Sequence, residues 1–174
     1  MKNEFTAYGV VAVLSFAQAA VISAWPFPFA VINLPLIYIS ALALGLQPKI
    51  ATVAAVISGL IIDMLSSGIG GVNTIAATSA VLITMVLLFR VLTHHTFGAV
   101  AGGNASIFIL FHLLVFAINS VSRVLAGGSI IHPATGYAIL IVVLALPLQI
   151  FLALSLHFVN LRLHNYAGRY LLVK

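Results

Sequence analysis

The sequence predicts an all-α integral membrane bundle of six transmembrane helices with both termini cytoplasmic, and three observations carry that expectation. Hydrophobic residues fill 63% of the 174 positions and charged residues only 5%, a composition that cannot clothe a domain dissolved in water. The apolar residues fall into separate stretches, several of them near the roughly 20 residues that a bilayer-crossing helix needs. The cations then sort by side: in a six-span arrangement Lys2, Lys49, Arg90, Arg162, Arg169 and Lys174 share one face and Arg123 stands alone on the other. The positive-inside rule places the crowded face in the cytoplasm.

Taken in order, the spans read as 5–25, 31–46, 50–66, 72–92, 96–118 and 136–159. Lys2 and the long apolar run behind it suit a retained first helix rather than a cleaved leader, because no polar region follows Ala19 before Trp25. Trp25-Pro-Phe-Pro-Phe29 reads as an aromatic corner at the membrane surface, and Pro48 beside Lys49 as a tight turn. The second and third runs are short, which suits tilt, local thinning or partial re-entry and leaves five spans as the alternative count. Pro147 sits inside the last run, where it favours a kink. The chain forms one transmembrane domain over 1–174, with no length left for a soluble head.

Several chemistries are excluded by inventory. The chain has no Cys, so disulfides, thiolate nucleophiles and Cys-ligated metals are absent. Its net charge of +5 comes from cations scattered at helix ends, not from a basic stripe with aromatics, so no nucleic-acid partner is expected. The acids are Glu4 and Asp63 alone, which cannot build a carboxylate dyad, and no nucleophile stands beside an oriented base. His94 and His95 are adjacent and point about 100° apart on a helix. His157 and His164 share a face but lack carboxylate company. No catalytic residue, cofactor or metal is expected.

Small residues let helix backbones approach in lipid, which supplies no hydrophobic drive between helices. Ala51, Ala55, Gly59 and Asp63 recur every four residues and so line one face of the third span, which turns Asp63 toward another helix. Ala76, Ala80 and Thr84 repeat the spacing in the fourth span, and Gly98 and Gly102 in the fifth. These three spans are expected to form the tight centre of the bundle.

Asp63 lies near the outer end of its span. On the fifth span His112, Asn119 and Arg123 fall within about 20° of one line. An outer polar cluster of Asp63, Asn73, His112, Asn119 and Arg123 is therefore expected. Three roles stay open for Asp63: a cap on the Ser66–Gly71 backbone, an ion pair with Arg123, or a part in binding a ligand or proton. His112 has its own bland role, a hydrogen bond to a helix carbonyl.

The stretch from Gly59 through Asp63, Ser66 and Gly71 to Asn73 resembles the signature of the rod-shape-determining MreD family, approximately G-L-L-x-D-x-x-S-x-x-x-x-G-x-N. Chain length, a Pro-bearing second span, a basic inner loop after the fourth span and a short basic tail are similar in placement. The resemblance implies a non-enzymatic multi-pass subunit in the bacterial inner membrane. Its partners would be MreC and membrane lipid, together with MreB, RodA and its transpeptidase in lateral peptidoglycan synthesis. The low charge of the tail departs from a strong cytoplasmic docking surface. A second resemblance is to the substrate-binding S component of energy-coupling-factor vitamin transporters, which look like the same kind of six-helix protein with short second and third spans and a small-residue contact such as Ala20-xxx-Ala24.

Overall fold

The computed structural model describes residues 2–27, 29–44, 47–66, 70–91, 97–127 and 134–171. Among them are six α-helices and no strand: α1 Lys2–Ala20, α2 Leu34–Leu44, α3 Pro48–Leu65, α4 Val72–Val91, α5 Phe97–Leu125 and α6 Ala134–Leu171. Two 3-10 turns, Ile22–Ala24 and Phe29–Val31, link α1 to α2. Among the described residues four segments are long and apolar enough to cross a membrane: Glu4–Ala24, Pro48–Leu65, Gly98–Leu125 and Ile139–Val159.

Local signals account for most boundaries. Pro48 opens α3, where its missing N–H costs nothing. Ser66 turns extended and ends it, its own N–H still reaching the Ile62 carbonyl at 2.8 Å. α5 runs seven residues past the expected boundary at Ile118, to Leu125. It stops where Gly127 takes a φ of +81° and its N–H bonds the Val124 carbonyl at 3.0 Å, the left-handed closure that glycine makes cheaply. α6 continues through Pro147.

The helix order around the bundle is set by α2. At 11 residues it spans only about 16 Å, half a bilayer core of about 30 Å. It is apolar on every side, which marks a helix wrapped by protein: Pro35, Leu36, Ile37, Ile39, Ser40 and Ala43 are all buried. α1, α3, α4, α5 and α6 pack around it, in contact as α1 with α3, α3 with α4, α4 with α5, and α5 with α6. The described backbones of α1 and α6 do not approach each other closely, and residues 33 and 34 are bonded to both helices, through Gln149 of α6 and Gln18 of α1. Alanines 51, 54 and 55 of α3 and 76, 77 and 80 of α4 share one apolar core with Leu36 and Ile39 of α2 and Ile107 of α5. Large apolar side chains such as Phe5, Met64, Val86, Leu113 and Phe151 point outward.

Candidate functional site

The α3–α4 joint assembles the motif residues. α4 begins at Val72, and the Gly71 carbonyl accepts its first helical bond from the Ile75 N–H at 3.0 Å. Gly71 therefore occupies the N-cap, with a φ of +88° that L side chains rarely adopt. Having no side chain, it cannot serve the orphan N–H groups of the first turn. Asp63 serves them from the neighbouring helix. Its Oδ1 accepts from the Asn73 N–H at 3.0 Å and from Asn73 Nδ2 at 2.9 Å. Its Oδ2 accepts from the Thr74 N–H at 2.9 Å and the Thr74 hydroxyl at 2.6 Å. An anion at a helix N-terminus also gains from the helix dipole.

Gly59 makes that reach available. A β-carbon there would stand 2.3 Å from Thr74 Cα and 2.7 Å from the Thr74 nitrogen, so the first turn of α4 rests directly on α3 one helical turn below the carboxylate. Ser66, exposed, holds the end of α3 through its backbone bond, with its hydroxyl 3.4 Å from the Asp63 carbonyl. Ala51 and Ala55 are fully buried on the same face.

The expected outer cluster divides. Asp63, Asn73 and Thr74 form one unit, and the described backbones of α3 and α5 do not approach each other closely. Of the three roles left open for Asp63, the ion pair with Arg123 is not formed: both carboxylate oxygens are engaged at α4, and Arg123 is exposed in the last turn of α5. There a cation complements the carbonyl end of the helix dipole. The cap also falls on Asn73 and Thr74, beyond the expected Ser66–Gly71 backbone. His112 Nδ1 lies 2.9 Å from the Phe108 carbonyl, its ring tilted against Phe108 and edge-on to Phe111. Asn119 is half-buried two turns further on.

Gly98 and Gly102, expected to pack against a neighbouring helix, face outward. Both are exposed, and a β-carbon on Gly102 would meet nothing within 4 Å. α5 turns Ala99, Val100, Gly103, Asn104, Ile107 and Phe108 inward instead. His94 and His95 lie outside the described residues.

Sequence reasoning missed a second constellation, built from amides. Asn33 precedes α2, its Oδ1 taking the Leu36 N–H at 3.1 Å. Gln149 of α6 grips the Asn33 backbone from both sides, accepting from its N–H at 3.1 Å and donating to its carbonyl at 3.2 Å. Gln18 of α1 accepts the Leu34 N–H at 3.1 Å. Gln149 stands ten residues from either end of the apolar stretch Ile139–Val159, so the broken backbone before α2 lies deep among apolar segments. Such a break survives only where protein supplies its hydrogen bonds. The available signal was three amides, Gln18, Asn33 and Gln149, each inside an otherwise apolar run.

Among the described residues, no three of His, Asp and Glu gather into a metal-holding group. What the two constellations do chemically is hold backbone: one seats a helix start on its neighbour, and the other closes a broken segment. Compared with family models, with curated proteins and with solved structures, the chain matches none.

Proposed function

We propose that this chain is a non-enzymatic membrane scaffold of MreD type, six-span with both termini cytoplasmic, which binds an MreC-like partner in the bacterial inner membrane and supports lateral peptidoglycan synthesis. The observation that carries the reading is the joint at Gly59, Asp63, Gly71 and Asn73. These residues of the MreD-like signature serve a single mechanical purpose, and the one carboxylate among them is consumed by four hydrogen bonds within the chain. A signature devoted to architecture suits a subunit that works by presenting surfaces.

The test is purification from the native membrane into nanodiscs, followed by mass spectrometry of all bound protein and small molecules. An MreC-like single-span protein, alone or with wall synthases, is the expected companion. A stoichiometric vitamin or an ATPase module would replace the scaffold with a transporter component.

A further inference from the structure

We infer that Ser40, Thr84 and Asn104 frame a buried site for a single water molecule between α2, α4 and α5. All three side chains are essentially sealed, at about 1% exposure each. The Ser40 hydroxyl donates its one hydrogen to the Ile37 carbonyl at 2.7 Å. Ser40 Oγ can then only accept from Asn104, and it does so from Nδ2 at 2.8 Å. This fixes the orientation of the Asn104 amide. Its Oδ1 points away from Ser40 and has no hydrogen-bond partner.

The complementary group stands on the next helix. α4 and α5 are consecutive helices packed on each other, and Thr84 lies seven residues before the end of α4 and Asn104 seven residues after the start of α5, so the two stand at matching distances from the joint. The Thr84 hydroxyl is also buried without a partner. One side thus offers a bare acceptor and the other an unused donor. A water accepting from Thr84 Oγ1 and donating to Asn104 Oδ1 satisfies both. A buried water needs two to four polar partners and room. Of the buried neighbours along these helices, Ala43, Ala80 and Gly103 are small, while Val81, Met85, Ile107 and Phe108 are large and keep any guest to a single small molecule. An apolar guest would leave both groups orphaned, and an anion would face the Asn104 carbonyl, so the chemistry selects a small neutral donor and acceptor.

The contrast within the same molecule is the Ser15–Ser58 pair. It is equally sealed, yet Ser15 bonds the Val11 carbonyl at 2.8 Å and the Ser58 hydroxyl at 3.0 Å. It needs no water and serves as a dry internal control.

The experiment is water-edited solid-state NMR on the full chain in lipid nanodiscs, following transfer of magnetisation from water to the Asn104 side-chain amide and to Thr84. The expected result is build-up several-fold faster at Asn104 and Thr84 than at Ser15 and Ser58. Thr84→Val is expected to slow the Asn104 build-up to the control rate, and Thr84→Ser to restore it. Build-up at Asn104 no faster than at the serine pair overturns the site and means that the two groups bond directly or stand dry. Should Thr84→Val fail to fold, the comparison within the unaltered protein decides by itself.

Discussion

Gly59 and Thr74 meet backbone to backbone: a methyl added at position 59 would fall 2.3 Å from the Thr74 α-carbon. Gly59→Ala therefore forces α4 off α3, an overpacking cost of about 1–3 kcal/mol. The same shift pulls the first turn away from Asp63. The two effects are then coupled, so Gly59→Ala combined with Asp63→Asn is expected to be little worse than Gly59→Ala alone. Reversible unfolding in mixed micelles, followed by the fluorescence of the single tryptophan, measures that double-mutant cycle.

Asp63→Asn keeps the shape of the side chain but replaces one acceptor oxygen by a donor facing α4. Loss of about 1–2 kcal/mol is expected, the range of a lost helix cap. Arg123→Gln is expected to cost no more than its helix-dipole interaction, about 0.3–1 kcal/mol, since Arg123 does not bond Asp63. Exchanging the two charges should then rescue nothing. If the swapped protein recovers the unfolding midpoint lost by Asp63→Arg, the cap account is wrong.

Gly71→Ala places a β-carbon on a φ of +88°, at a cost of about 1–2 kcal/mol. Gly71→Asn should cost less, because asparagine tolerates this region better. Gly70→Ala is the control: it has no positive φ and a β-carbon meets nothing within 4 Å. Thermal melting of the three variants, read in parallel, ranks them.

Gln149→Leu strips the partner from the Asn33 N–H, while the Asn33 carbonyl keeps the Ile37 N–H at 3.2 Å. The one orphaned buried N–H costs about 1–3 kcal/mol, and the loss should localise. Hydrogen exchange at Asn33 is expected to accelerate sharply, while amides in α3 and α4 keep their protection. Unchanged exchange at Asn33 would mean that the break is held by something other than Gln149.

Gly102→Ala should stabilise. The residue is exposed in the interior of α5 with open space around it, so alanine gains up to about 1 kcal/mol of helix preference. A decrease in the unfolding midpoint would return Gly102 to a packing interface.

How far the sequence reached depended on whether a property was local or relational. Run length and composition are local, and they sufficed for an all-helical chain with segments able to cross a membrane, because the cost of exposing apolar surface or unpaired backbone is summed residue by residue. Periodicity is nearly local, and it sufficed to align Ala51, Ala55, Gly59 and Asp63 on the inward face of α3. It misled at Gly98 and Gly102, because a repeat of four defines a face without saying which way that face turns. The outer cluster erred for a related reason: distance along a span sets depth, whereas the order of helices around α2 sets who meets at that depth. Only the packed bundle separated α3 from α5, gave Asp63 to the start of α4, and brought Gln149 to Asn33 across a separation of 116 positions. Hydrogen-bond partners that far apart are chosen by tertiary packing, since a buried donor or acceptor takes whichever complementary group the fold delivers to it.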